Sequence, residues 1–151
     1  INEVIVGVTS TDALLHLGKE EISQSPASSN RITRLAEHMV LQQSFYPLFP
    51  PPSVDACPLD MRFNEKWRMP VSPDVLIVPS KLANFARVLS NGTMALNPGQ
   101  LAKGVAGGTF AEVTIHPFEE SNFKASEGDA QAGQEEFHRI AERSEVKVMR
   151  I

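Results

Sequence analysis

The stretch that decides the fold reads VSPDVLIVPSKLANFARVLSNGTMALNPGQLAKGVAGGTFA and covers residues 71–111. Its apolar run at residues 75–78 is short, continuous and rich in β-branched side chains, which is typical of a buried strand. Residues 94–96 predict a second short strand. Dense glycines follow between Gly99 and Gly108. The stretch therefore predicts neighbouring strands that lead into a glycine-rich corner.

These glycines do not form a phosphate-binding loop. Such a loop needs Gly-x4-Gly followed at once by Lys and then Ser or Thr, because the Lys reaches the phosphates and the hydroxyl holds magnesium. Here Val105 and Ala106 follow Gly104, while Lys103 precedes it. The Gly-x-Gly-x-x-Gly spacing of dinucleotide-binding folds is missing as well. We therefore predict that the glycines supply positive φ angles and close backbone approach between neighbouring strands.

The N-terminal half alternates strand and helix signals. Residues 4–8 form an apolar, β-branched run, as expected of a strand covered on both faces. A polar side chain among residues 10–12 can cap a following helix that closes at Gly18. A second, amphipathic helix is predicted to begin after Asn30 and to end before Pro47.

The C-terminal half predicts one more helix and a pair of strands. Ser80 is a candidate cap for a helix that Asn91 and Gly92 would end. Residues 109–115 and 146–151 are predicted strands that pair across a long loop. Alternating strands and helices followed by paired strands indicate an α/β fold.

Four ordered motifs resemble the accessory B subunits of eukaryotic DNA polymerase alpha-primase. They are residues 7–23, 43–51, 73–80 and 97–111, and a closing strand that ends at Ile151 completes the likeness. The residues that carry it most directly are Thr9, Ser10, Thr11, Asp12, Pro73, Asp74, Pro79, Ser80, Asn97, Pro98, Gly99, Lys103, Gly104, Gly107, Gly108 and Phe110.

This resemblance implies a fold, a role and partners. Residues 1–151 would be the C-terminal part of one inactive calcineurin-like phosphoesterase domain, a β-sandwich flanked by helices. The implied role is a non-catalytic, nuclear subunit that docks the C-terminal domain of the catalytic polymerase subunit. Together with the primase subunits it would support primer synthesis and the initiation of DNA replication. The sequence assigns no residue to the subunit interface.

Two alternatives remain beside this interpretation. One is the B subunit of polymerase delta or epsilon, which residues 9–12 and 97–99 disfavour because they look specifically alpha-like. The other is a metal-dependent phosphoesterase or nuclease whose remaining ligands lie upstream.

The resemblance also sets the expectation about catalysis. Active calcineurin-like phosphoesterases carry Gly-His-x-His after a late strand, and the corresponding strand here is residues 75–78. Pro79, Ser80 and Lys81 follow it. Proline offers no ligand atom and a lysine repels a divalent cation. We therefore expect no catalytic residue, no metal ligand and no cofactor.

The histidines suggest no alternative site. Asp12 and His16 are four residues apart, which predicts a pair on a helix surface, since two ligands do not make a metal site. His38 is expected to be a partly buried packing residue. His116 stands at a predicted strand end, and His138 lies in an acidic segment where it would be solvated.

Composition and charge limit the partners. A chain of 151 residues with 42% hydrophobic and 21% charged side chains can bury the core of one domain. Cys57 is the only cysteine, which excludes an intrachain disulfide and fits a reducing compartment. No apolar run approaches the roughly 18 residues of a membrane span. Because the chain opens directly on a strand without an initiator Met, we expect a fragment of a longer polypeptide.

The net charge of −4 is unevenly distributed. Residues 119–145 carry eight acidic and three basic side chains, which leaves ten acidic and eleven basic side chains elsewhere. A duplex-binding surface needs clustered basic residues, and none is evident, so direct nucleic-acid binding is not expected. Residues 119–144 hold few large apolar side chains and predict a flexible acidic loop.

Overall fold

The structure is a computed structural model that describes residues 3–24, 30–52, 57, 59–117 and 139–151. Over these ranges the chain forms helices and strands in α/β order. None of the helices described has the length and apolar character that crossing a bilayer requires.

A four-stranded sheet lies at the centre of the fold. Its strands are β1 (Val6–Val8), β2 (Val75–Ile77), β3 (Phe85–Val88) and β4 (Met94–Asn97), in the spatial order β1-β2-β4-β3. The strands β1, β2 and β4 are parallel, whereas β3 runs antiparallel to β4 at one edge. The carboxyl ends of the three parallel strands therefore meet along one side of the sheet.

Two helices cover one face of this sheet. Helix α1 (Ala13–Glu20) is capped by Asp12, and helix α2 (Arg31–Leu41) is capped by Asn30. Both caps are acceptors for backbone N–H groups that a helix start leaves unpaired. The helices and the sheet share one core, which includes Leu14, Leu17, Leu35, Met39, Leu76, Val78 and Ala95.

A long two-stranded ribbon covers part of the opposite face. After the small strands β5 (Ala102–Lys103) and β6 (Ala106–Gly107), strands β7 (Thr109–Ile115) and β8 (Ser144–Arg150) pair along their full length. Successive side chains of a strand point to opposite faces, so the neighbours of Leu76 and Ala95 point away from the helices. Two of these neighbours, Val75 and Met94, form a second core together with Ile140. Val113 and Val146 pack against it.

The helix predicted from Ser80 is wrong, because the chain forms the edge strand β3 there. Asn91 and Gly92 belong to the turn between β3 and β4: the Leu89 N–H donates to the Thr93 carbonyl at 2.8 Å, and the φ of Gly92 is 88°. Phe85 and Leu89 still contact the helix-side core. The spacing of the apolar residues thus correctly indicated which side chains contact the core, but it predicted a helix where the chain forms a strand.

Three other features differ from the sequence prediction: the end of one helix, the exposure of one strand and the presence of a 3₁₀ segment. Helix α1 does not close at Gly18 but continues to Glu20, and Gly18 faces Leu35 of α2 with little space to spare. Strand β1 was expected to be covered on both faces, yet Val6 and Val8 are 44% and 59% exposed. A 3₁₀ segment at Met61–Trp67, capped by Asp60, was not predicted.

The predicted pairing of the last two strands is confirmed, with β8 beginning at Ser144. The end of the predicted acidic loop is ordered, because Ile140–Arg143 form a 3₁₀ turn whose Ile140 is buried. Residues 119–138 of that loop lie outside the described residues.

Candidate functional site at the carboxyl edge of the sheet

Three loops meet where the parallel strands end. They are residues 9–12 after β1, residues 78–81 after β2 and residues 97–99, which begin with the last residue of β4. In parallel α/β sheets, ligands bind at this edge, outside the carboxyl ends of the strands. The fold therefore brings together a large part of the residues that the sequence singled out: Thr9, Ser10, Thr11, Asp12, Pro79, Ser80, Asn97, Pro98 and Gly99.

The carboxylate of Asp12 joins two of these loops. Its Oδ1 accepts a hydrogen bond from the Leu15 N–H at 3.1 Å, which caps helix α1. Its Oδ2 accepts one from the Lys81 N–H at 2.9 Å, across 69 residues of sequence. A negative charge at a helix N-terminus is favourable. Both oxygens of Asp12 are thus engaged in holding the fold.

Asn97 joins the loop after β2 to the loop at the end of β4, and it is fully buried. Its Oδ1 accepts hydrogen bonds from the N–H groups of Ser80 and Gly99, each at 2.9 Å. Its Nδ2 donates to the carbonyls of Leu82 and Ala83, each at 3.1 Å. An amide oxygen has two lone pairs and an amide nitrogen two hydrogens, so Asn97 has no capacity left for a ligand.

The hydroxyl of Ser80 has a local role. Ser80 is buried, and its Oγ accepts a hydrogen bond from the Leu82 N–H at 3.1 Å. This bond holds the turn that follows β2 and directs the chain toward β3. Pro79, Ser80 and Lys81 therefore shape a corner of the backbone.

These residues do not fit a two-metal centre. Within the described ranges, no three His, Cys, Asp or Glu side chains are grouped so that they could hold a metal ion. The best oxygen donors at the edge, those of Asp12 and Asn97, already accept backbone hydrogen bonds. A cation would have to displace bonds that fasten three loops.

Pro73 and Asp74 lie at the other end of β2, away from this edge. The Oδ2 of Asp74 accepts a hydrogen bond from the Ile5 N–H at 2.8 Å, and the Asp74 N–H donates to the Ile5 carbonyl at 2.9 Å. The hydroxyl of Thr93 donates to the Pro73 carbonyl at 2.7 Å. These contacts fix the amino ends of β1, β2 and β4.

The glycine-rich corner is held by backbone proximity. The Pro98 carbonyl accepts hydrogen bonds from the Thr109 hydroxyl at 2.7 Å and from the Asn84 amide at 3.0 Å. The φ of Gly99 is 80° and that of Gly104 is 65°. The prediction of architectural glycines is therefore confirmed for these two through their backbone angles.

Gly107 and Gly108 serve through close approach, and neither has a positive φ. A Cβ atom on Gly108 would lie 1.8 Å from the Gln100 carbonyl oxygen, and one on Gly107 would lie 2.8 Å from that of Ile151. Of the remaining sequence-predicted residues, Lys103 lies in the exposed strand β5 and Phe110 is partly exposed on β7. Neither reaches the carboxyl edge through a described contact.

The sequence predicted that His16 and Asp12 form a pair on the helix surface, and this prediction is wrong. Asp12 precedes the helix with ψ of 65°, so its side chain turns back over the helix start. His16 is buried, and its Nδ1 lies 3.0 Å from the hydroxyl of Tyr46. Burial, together with the nearby Cys57, raises the pKa of Tyr46 to about 12, which keeps the phenol protonated at neutral pH.

The other titratable candidates have structural surroundings. Burial raises the pKa of the Cys57 thiol, although a hydrogen bond with Thr11 partly offsets this effect. His38 is partly buried, as predicted, with its Nε2 3.8 Å from Glu21. His116 is exposed at the end of β7, and His138 lies outside the described residues.

An ion cluster between the helices was missed from the sequence. Glu21 has a side chain that is only 6% exposed and accepts hydrogen bonds from the Nε atoms of Arg31 and Arg34, each at 3.1 Å. Burial would raise the pKa of Glu21, but these bonds and charges outweigh burial and hold it below its usual range. The spacing of Arg31, Arg34 and His38 along one helix face could have indicated such a partner.

Comparisons with known proteins find similar chains among the accessory subunits of polymerases. The family model for the B subunit of DNA polymerase alpha/epsilon matches residues 1–87. The B subunit of DNA polymerase alpha from Rattus norvegicus is 44% identical over 76% of this chain and 19% of its own length. That of Schizosaccharomyces pombe is 36% identical over 100% of this chain and 26% of its own length.

A third relative, the DNA polymerase alpha B subunit of Drosophila melanogaster, is 37% identical over 74% of this chain and 18% of its own length. This chain thus spans about a fifth to a quarter of the length of these relatives. The family match includes the loops that follow β1 and β2, and it ends before the loop that follows β4.

Proposed function

Because this chain belongs to the family of DNA polymerase alpha/epsilon B subunits, we propose that it is part of a non-catalytic accessory subunit of DNA polymerase alpha-primase. The rat, fission yeast and fruit fly relatives are B subunits of DNA polymerase alpha, which favours polymerase alpha over another replicative polymerase. The observation that carries the non-catalytic assignment is the carboxyl edge of the sheet. There, Asp12 and Asn97 use their oxygen atoms to bind backbone N–H groups.

In this proposal the chain is the C-terminal part of an inactive calcineurin-like phosphoesterase domain. Two observations support it: a second β layer packs on the central sheet opposite the helices, and the metal-binding histidines of the active enzymes are replaced after β2. In this proposal the loops at the strand ends, where an active relative would bind its metals, stabilise the fold through Asp12 and Asn97.

The subunit docks the C-terminal domain of the catalytic polymerase subunit and works beside primase in the nucleus, in primer synthesis and replication initiation. A net charge of −4 without a basic stripe favours a protein partner over a phosphate backbone. Permanent subunit contacts are usually extensive and apolar, above about 2,000 Å². The exposed apolar side chains of this chain, among them Val6 and Val8, are suited to such burial.

Co-expression of the full-length protein with the catalytic subunit and primase tests this proposal. We expect a complex that elutes together in size-exclusion chromatography and that is lost when the C-terminal domain of the catalytic subunit is removed. Metal analysis of the complex and a manganese-dependent phosphodiesterase assay form the second arm. Hydrolysis that is abolished by Lys81→Ala would overturn the non-catalytic assignment.

A further inference from the structure

A cavity of about 200 Å³ opens between the C-terminal ends of α1 and α2. Leu17, Pro47 and Leu48 form its apolar wall, and Ile22 stands at the mouth. The cavity lies on the helix side, away from the carboxyl edge and its hydrogen-bond network. It has room for one long side chain from another polypeptide.

Two exposed apolar side chains accompany this cavity, one in its lining and one next to it in the chain. Ile22 is 100% exposed, and Phe49, which follows Leu48, is 71% exposed. Isolated exposed apolar residues are common, but Ile22 lines the cavity together with Leu17, Pro47 and Leu48, and this apolar part of the lining is suited to a protein contact. A partner that covers them would remove their side chains from water at a gain of roughly 25 cal/mol per Å².

Two carboxylates, those of Glu20 and Glu21, line the cavity together with the imidazole of His38. Glu21 is neutralised by two arginines of α2, whereas the carboxylate of Glu20 is exposed and forms no hydrogen bond or ion pair with any other residue that the structure describes. Residues at or next to the C-terminal ends of both helices line the cavity, and a helix C-terminus carries partial negative charge. Lys19 lies in the same turn of α1 but does not line the cavity.

We propose that this cavity seats a segment of the partner subunit in which an apolar side chain is followed by Lys or Arg. The apolar side chain fills the space beside Leu17, Pro47 and Leu48, and the cation pairs with Glu20. Such a segment satisfies both features of the cavity, whereas an acidic segment would meet Glu20 as a like charge. The inference rests on the proposed function, since the segment belongs to the catalytic polymerase subunit.

The test measures the affinity of the full-length protein for the C-terminal domain of the catalytic subunit. We expect Glu20→Lys and Ile22→Ser each to weaken binding at least about tenfold. Both positions are exposed, so the melting temperature of the variants should equal that of the parent. Binding of the parent should also weaken as salt rises, and Glu20→Lys should reduce this dependence.

Glu65→Lys is the matched control, because it makes the same charge change at an exposed carboxylate of the 3₁₀ segment, and it should retain parental affinity. Equal weakening by Glu20→Lys and Glu65→Lys would show a general charge effect and overturn the proposal. Parental affinity of both Glu20→Lys and Ile22→Ser would also overturn it. Self-association that Glu20→Lys abolishes would instead identify a second copy as the occupant. Failure of the parent to bind at all would count against the proposed function itself.

Discussion

Asn97 connects three backbone segments through a single amide. Because it is fully buried and makes four hydrogen bonds, its removal would leave donors and acceptors in the interior without partners. We expect Asn97→Ala to lower the free energy of unfolding by about 3 kcal/mol or more. Urea unfolding of the full-length protein measures this loss.

Ser80→Ala is the matched comparison at the same edge, since it removes one hydrogen bond and leaves the Ser80 N–H in place. We expect it to cost about 1 kcal/mol. If the two substitutions lower the free energy of unfolding by the same amount, the four hydrogen bonds of Asn97 do not hold the edge together.

Two glycines of the same corner should respond differently to a methyl group. Gly108→Ala would place its Cβ 1.8 Å from the Gln100 oxygen, so the backbone must move and stability should fall by several kcal/mol, about 3 or more. Gly104→Ala meets nothing within 4 Å and has only a positive φ of 65° to accommodate, at about 1 kcal/mol. Thermal melting of both variants checks the order, and a larger loss for Gly104→Ala would contradict it.

Part of the edge could be predicted from the sequence. Asp12 was a candidate cap because an acceptor before an apolar helical pattern has a local function. The contact of Asp12 with Lys81 could not be predicted, because it spans 69 residues and depends on the strand order. The same applies to Asn97, which looks like a loop residue until β4 places it beside Ser80 and Leu82.

At the scale of elements, the segment after β2 shows why helix and strand were confused. Leu82, Phe85, Ala86 and Leu89 are spaced as on one helix face, and a short apolar run fits either element. Pairing of β3 with β4 decides the outcome. In addition, the Asn97 amide donates to the carbonyls of Leu82 and Ala83, which in a helix would accept hydrogen bonds from N–H groups four residues later. Long-range pairing overrode the local preference.

The ribbon of β7 and β8 allows a comparison of two deletions. Its base is closed, because the His116 N–H donates to the Arg143 carbonyl at 2.9 Å. Replacing residues 118–138 with a short linker should change stability by less than about 1 kcal/mol, since loop length acts weakly. Extending the deletion through Arg143 removes the buried Ile140 and should cost about 2–4 kcal/mol.

Urea unfolding of both deletion variants in the full-length protein gives the result. An equal stability for the two would show that Ile140 contributes nothing to the second core. If the shorter deletion is already enough to abolish binding of the catalytic polymerase subunit, residues 118–138 belong to an interface.

At the scale of the whole molecule, Glu21 links stability to pH. Its folded pKa is depressed, so its contribution is present above the ordinary value of 4.5 and is lost as the pH falls through the folded value. We expect Glu21→Gln to lose about 1–3 kcal/mol at neutral pH. Below pH 4.5 the difference between the variant and the parent should shrink. Unfolding curves across this range measure both effects, and a constant difference would contradict the assignment.

The α/β class, the Asn30 cap and the final strand pair could be predicted, because each depends on a local pattern, whereas the cap of α1 was narrowed only to residues 10–12. The covering of the sheet could not. Val6 and Val8 were expected to be buried because the run is wholly apolar, yet the described residues leave them exposed. The local sequence pattern shows how apolar a strand is, but which elements pack over its faces depends on the tertiary structure.

The parallel pairing of β1 with β2 has a consequence for biosynthesis. Val6 has no strand partner until Val75 has been translated, because β2 is its one neighbour among the strands that the structure describes. Contacts this far apart in sequence form slowly. On the ribosome, α1 and α2 emerge before β2, so their apolar faces stay exposed until β2 has been translated. We therefore expect chaperones to bind nascent chains that are stalled before β2 and to dissociate from chains that are released after β4.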